Sequence, residues 1–175
     1  MKRLFIISGF LAMAFLGSCI KNENPVFVKS VVEYDAAAYN ANAAGLTFPV
    51  LTRIPGYGRA VISSGSTPDP LLTRNSPGVK KFRVNLIGGQ LPTPTKVFYQ
   101  VFAGTTATEG VHYKKPSGEV TIPANSSFGE MEIEILNPGP PATPDPVELR
   151  LLLTGGENGV TSSTNYRIIG LSIAQ

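Results

Sequence analysis

GTTATEGVHYKKPSGEVTIPANSSFGEMEIEIL, residues 104–136, decides the fold class of this 175-residue chain. Its last part, Glu130-Met131-Glu132-Ile133-Glu134-Ile135, alternates charged and apolar side chains with the period of two that a half-buried strand requires. Met131, Ile133 and Ile135 are expected to face a core, and Glu130, Glu132 and Glu134 to face water. Upstream of it, the stretch reads as a strand-exit loop, a tight turn, a strand over 119–122 and a polar turn. That is the centre of a β-sandwich rather than of a helical domain.

The flanks repeat the theme. Residues 81–87 place Phe82, Val84 and Leu86 inward, with Arg83 and Asn85 outward. Residues 147–153 alternate again, with Val147, Leu149, Leu151 and Leu153 on one face. Residues 96–102 are apolar on both faces, which predicts a central strand. Further strands are expected over 26–33, 46–51, 60–63 and 166–173, the last with a bulge at Gly170. Residues 34–45 are rich in Ala and Asn; a helical turn is open to them, but Asn40 and Asn42 favour a loop. Residues 137–146 contain five prolines and form a stiff loop. Eighteen Gly and fifteen Pro across the chain punctuate any long helix. The expectation is an all-β, immunoglobulin-like antiparallel sandwich of about seven to nine strands, in one domain over 26–175.

The first eighteen residues read differently. Lys2-Arg3, a short apolar run and Leu16-Gly17-Ser18-Cys19 have the layout of a secretory signal, too short to span a membrane comfortably. Leu-Gly-Ser-Cys resembles the bacterial lipobox, which implies cleavage before Cys19 and acylation of its thiol. The alternative is an ordinary signal peptide cut nearby. Cys19 is the single cysteine, so no internal disulfide can form, and lipidation would consume a thiol that is a liability in an oxidising compartment. Residues 19–25 would be the lipidated tether. Ile20 is not the Asp that retains many lipoproteins in the inner membrane, which points to the outer membrane. Lys21 and Glu23 partly resemble the export signal of surface lipoproteins in Bacteroidota-type bacteria.

Charge excludes one class of partner. The formal net charge of +3 falls to +1 once Lys2 and Arg3 leave, and no basic run exceeds two residues. Nucleic acid is not an expected partner; the membrane is, through the lipid on Cys19.

Catalysis has few residues to use. His112 is the only histidine, and no Gly-x-Ser-x-Gly elbow accompanies it. A zinc site lacks its ligands. The glutamates of residues 130–134 stand about 7 Å apart in succession, but glycoside hydrolysis needs a cleft and one carboxyl with a raised pKa. The row reads as a solvated face that deters edge pairing. No catalytic residue, metal or cofactor is assigned. For ligand binding, Tyr57 between Gly56 and Gly58, with Arg53 and Arg59 nearby, is the best aromatic platform in a chain without Trp; the alternative is a glycine-supported turn.

Residues 97–153 resemble the Calx-β type of immunoglobulin-like module. The matching features are Gly104-Thr105-Thr106-Ala107, Glu109-Gly110-Val111-His112-Tyr113, and Ser117-Gly118-Glu119-Val120-Thr121-Ile122-Pro123-Ala124-Asn125 with the strands around them. With KFRVNLIGG at 81–89 and the lipobox, the chain resembles small outer-membrane lipoproteins of unknown function in Bacteroidota. Those are often associated with glycan uptake by a TonB-dependent transporter and a SusD-like lipoprotein (SusC/SusD-type systems). The resemblance implies a non-enzymatic, surface-exposed or periplasm-facing module whose partner is a glycan or the transporter complex. A structural or adhesive subunit that pairs strands through 26–33 or 166–173 is the alternative. Calx-β modules of the calcium-sensing kind bind Ca²⁺ through loop carboxylates. Here His112-Tyr113 stands where that pattern has an acid, and the proline loop has Asp145 as its one carboxylate, so calcium is not expected.

Cys19→Ala is expected to abolish acyl labelling and release the protein from membranes; persistent labelling would overturn the lipoprotein assignment.

Overall fold

A computed structural model describes residues 29–141 and 143–175. The expected signal, Cys19, the expected tether and the start of the first expected strand lie outside the described residues. In chain order the elements are β1 (Val31–Tyr34), α1 (Asp35–Tyr39), β2 (Val50–Leu51), β3 (Gly78–Ile87) and β4 (Thr95–Val101). They continue with β5 (Glu119–Ile122), β6 (Phe128–Ile135), β7 (Val147–Gly156), β8 (Thr161–Ser162) and β9 (Ile168–Ile173). They form two sheets, of order β6-β3-β1-β8 and β2-β9-β7-β4-β5. The protein is a β-sandwich, as the alternation implies.

The core lies between the sheets and is built from the inward positions of each strand. Phe82, Val84 and Leu86 of β3 and Met131, Ile133 and Ile135 of β6 meet Leu149, Leu151 and Leu153 of β7 and Ile169, Leu171 and Ile173 of β9, all buried. Their partners in the alternation point out, because successive side chains of a strand take opposite faces. Tyr34 is wholly buried; burial pushes its phenol well up, and its hydroxyl faces Met131 Sδ at 3.7 Å.

Several expectations need correction. The sheets are mixed: five pairings are antiparallel, but β1–β8 and β2–β9 are parallel. Residues 35–39 do form a helix, whose Ala36 and Ala37 are buried. Asn40, the residue that argued for a loop, terminates it by turning its backbone N–H and its side-chain amide onto Ala36 O. Residues 60–63 are not a strand. Strand β4 is interior, between β5 and β7, but its outward Phe98 stays 40% exposed. Gly170 marks no bulge. It stands where β2 comes close, and a Cβ there would meet Val50 Cγ2 at 2.9 Å and Glu148 Oε1 at 2.8 Å. The register shift falls instead between Phe98 and Tyr99 of β4, opposite Gly155 and Leu153. Both strands proposed for pairing with a partner are interior: β1 lies between β3 and β8, and β9 between β2 and β7. Among the described residues no helix is long and apolar enough to cross a membrane.

One corner joins the layers. The turn after β5 carries the chain from one sheet to the other, so β5 and β6 approach closely. Gly129 permits this, because a Cβ there would lie 2.6 Å from Thr121 O and 2.9 Å from Val120 Cγ1. Gly129→Ala is expected to lower stability by about 1–3 kcal/mol, the usual cost of overpacking. Gly89→Ala, with no described residue within 4 Å of the new Cβ, should change it by under about 0.5 kcal/mol. Urea unfolding of the two variants checks the contrast.

Candidate functional site

The outer face of the first sheet is where the side chains that carry chemistry converge. Register places Arg83 of β3 opposite Glu130 of β6, Lys81 opposite Glu132, Val79 opposite Glu134 and Asn85 opposite Phe128. Each pair points away from the core, so cations of β3 face carboxylates of β6 across one ladder. Opposite charges so placed favour the pairing.

The loop between β2 and β3 lies over this face. Tyr57 donates its hydroxyl to Glu130 Oε1 at 2.8 Å. Lys81 Nζ holds the other oxygen of Glu130 at 2.8 Å and reaches Glu132 at 3.4 Å. Arg83 stacks its guanidinium over the Phe128 ring, 4.1 Å from the centroid, and lies 5.9 Å from that of Tyr57. Its Nε donates to Asn85 Oδ1 at 2.7 Å, which fixes its plane. Tyr57 and Phe128 remain about two-fifths exposed, so two rings and a guanidinium present surface to solvent.

Two buried aspartates pin the loop. Asp35, first residue of α1, accepts the Gly58 N–H at 2.7 Å and the Asn85 amide at 2.9 Å. Asp69 accepts two guanidinium nitrogens of Arg59 and the Ile62 N–H at 2.8 Å. Arg53 donates to the backbone carbonyl of Asp69. Of the three residues singled out in the sequence, Tyr57 therefore sits on the candidate face. Arg53 and Arg59 hold Asp69, and the cation over the Tyr57 ring belongs to Arg83 instead. Arg83 was legible as an outward position of β3. Phe128 carried no comparable signal, because it precedes the alternating run and only pairing with Asn85 brings it beside Arg83.

The electrostatics follow from these contacts. Burial, then the bond to Glu130, pushes the Tyr57 phenol up to about 12. Lys81 and Tyr57 hold Glu130 below the usual carboxylate range. Arg59, then the Ile62 N–H, lower Asp69 to about 2. Burial and the neighbouring Asp35 raise half-buried Glu33. A carboxylate held ionised, as Glu130 is, suits hydrogen bonding and not proton donation. His112 stands elsewhere, its Nδ1 accepting the Thr108 N–H at 2.8 Å within its own turn.

Beside Tyr57 runs an open groove of about 440 Å³, with Pro55, Pro70, Val79 and Lys81 in its walls. Such a face can stack a planar or CH-rich surface on the rings and exchange hydrogen bonds with Glu130, Lys81 and Arg83. As for metals, no group of three or more His, Cys, Asp or Glu side chains is clustered among the described residues.

No protein-family model and no curated protein sequence matches the chain. Similar solved structures do exist. A two-domain protein of unknown function from Bacteroides fragilis aligns over 83% of this chain and 45% of its own, with a TM-score of 0.52 and 8% identity. The CBD12 calcium-binding domain structure of CALX1.1 aligns over 55% of this chain and 38% of its own, with a TM-score of 0.46 and 20% identity. The apo-form Calx CBD1 domain aligns over 56% of this chain and 84% of its own, with a TM-score of 0.43 and 18% identity. The chain thus spans less than half the length of the first two. At 8% identity, the likeness to the Bacteroides fragilis protein is one of fold.

Asp69 generates a pH dependence with a definite sign. Its carboxyl is lowered in the fold, so its contribution is fully present above the ordinary value of 3.8 and is lost as pH falls through about 2. The melting-temperature difference between wild type and Asp69→Asn is expected to be largest at pH 5 and to shrink steadily between pH 4 and 2.

Proposed function

We propose that this chain is a non-enzymatic, lipid-anchored module of the cell envelope that binds carbohydrate as an accessory to a larger assembly. Cys19 would carry the lipid, and the outer membrane would be the site of anchoring. A glycan-uptake complex of transporter and lipoprotein is the partner that suits such an anchor.

The observation that carries the reading is the stack of Tyr57, Arg83 and Phe128 above the Lys81–Glu130 pair. Sugar rings present an apolar CH face and a rim of hydroxyls. A half-exposed aromatic next to fixed donors and acceptors answers both. The hydroxyl of Tyr57 is already committed to Glu130, so its ring, not its oxygen, is the part offered to a ligand.

Chemistry at this face would be hard to run. Glycoside hydrolysis asks for one carboxyl kept protonated near neutral pH, and Glu130 is driven the other way by Lys81 and Tyr57. His112 spends Nδ1 on its own turn. Both observations support binding over turnover.

Titration of the mature protein with a panel of neutral oligosaccharides tests the reading. Tyr57→Ala should weaken the best ligand about tenfold, equivalent to about 1.4 kcal/mol, whereas Tyr57→Phe keeps the ring and should retain most of the affinity. An empty panel, or a Tyr57→Ala variant that binds as wild type does, would overturn it.

A further inference from the structure

Arg74 is 4% exposed, yet most of its guanidinium has nothing to bond. Nη2 donates to Asn137 Oδ1 at 2.7 Å. Among the described residues, Nε and Nη1 are buried without any partner, and no ion pair includes Arg74. A guanidinium cannot escape this by losing its proton. Buried charge is retained where something pairs with it, so this cation calls for an anion.

A cleft lies beside this guanidinium. The Arg74 backbone is fastened to the end of β9 by its N–H to Ala174 O at 3.0 Å. Its side chain runs to Asn137, which follows β6. Arg74 is part of the lining of a cleft of about 380 Å³, together with His112, Pro138, Pro141, Val147 and Gln175. That volume lies within the span of small-molecule sites, about 300–1,000 Å³. Among the described residues, Arg74 is the one Lys or Arg in the lining. A single guanidinium matches a monoanion, and its planar fork matches a carboxylate. The prolines and Val147 offer CH-rich walls to the body of the ligand, while Thr143 and Gln175 add polar groups.

We propose that this cleft is a binding site for a monoanionic, carboxylate-bearing ligand of about monosaccharide size, a uronate unit above all, with Arg74 as the anchor and Asn137 as its positioning residue. The site has no lining residue in common with the groove beside Tyr57 and does not depend on that groove binding sugar.

The test is calorimetric titration and thermal melting of the mature protein with sodium galacturonate, galactose and sodium acetate at matched ionic strength. Galacturonate is expected to bind saturably and raise the melting temperature; galactose should do neither. Arg74→Met replaces a buried charge with an apolar side chain of similar reach, a change that folds tolerate well, and should abolish the response. Arg74→Lys keeps the charge without the fork and should weaken binding at least tenfold; it serves the same purpose should the Met variant not fold. Asn137→Ala should weaken binding less. Binding of acetate alone, lost in Arg74→Met, supports the carboxylate site and overturns the sugar-sized body. Galacturonate that leaves wild type unmoved, or moves wild type and Arg74→Met alike, overturns the site. Tyr57→Ala should respond to galacturonate as wild type does, which separates this outcome from the fate of the Tyr57 face.

Discussion

Strands β3 and β6 pair over eight consecutive positions, from Gly78 opposite Ile135 to Asn85 opposite Phe128, and both sides of the first sheet depend on that register. Inward, it aligns Phe82, Val84, Met131, Ile133 and Ile135 into a core layer. Outward, it sets Arg83 against Glu130 and Lys81 against Glu132. A slip of one residue would exchange the two faces, burying charges and exposing the core. The core therefore enforces the arrangement of the outer face: Glu130 stands where it does because Met131 must be buried.

The loop between β2 and β3 is irregular, yet it is held at defined points, and two aspartates account for this. A buried carboxylate needs donors, and Asp35 and Asp69 find theirs in loop groups: the Gly58 and Ile62 amides and the Arg59 guanidinium. Those bonds deliver Tyr57 to Glu130. They also engage two of the three Asp residues of the chain with protein donors, where a cation site would need carboxylates converging with free oxygens. Arg74 is the reverse case, a buried cation whose donors outnumber its acceptors. Among the described residues, the aspartates are satisfied locally and the arginine is not.

The strands with clean alternation were readable to within a few residues at each end. Residues 119–122 coincide with β5, and 130–136 and 147–153 fall almost wholly inside β6 and β7. The failures share a cause. Gly170 looks like a bulge in one dimension, but its small size serves the approach of Val50, more than a hundred residues earlier. The parallel pairing of β2 with β9 is equally invisible, since the alternation along a strand does not say which strand lies beside it. Arg53 and Arg59 flank Tyr57 in sequence and leave it in space, because Asp69 offers them buried oxygens.

By itself, then, the order of residues determined which faces of which strands are apolar, and with that the sandwich, since a two-residue period leaves a sheet one face to bury. The lone cysteine behind a short apolar run and the near-neutral charge of the residues after it were likewise properties of the chain alone. Only the tertiary structure decided which cation would stack on which ring, which aspartate would tie which loop, and that Arg74 would be buried short of partners. Periodicity reports the direction of a side chain relative to its own backbone. The chemistry of a site depends instead on groups from separate segments meeting within about 3 Å, a distance that register and loop closure set.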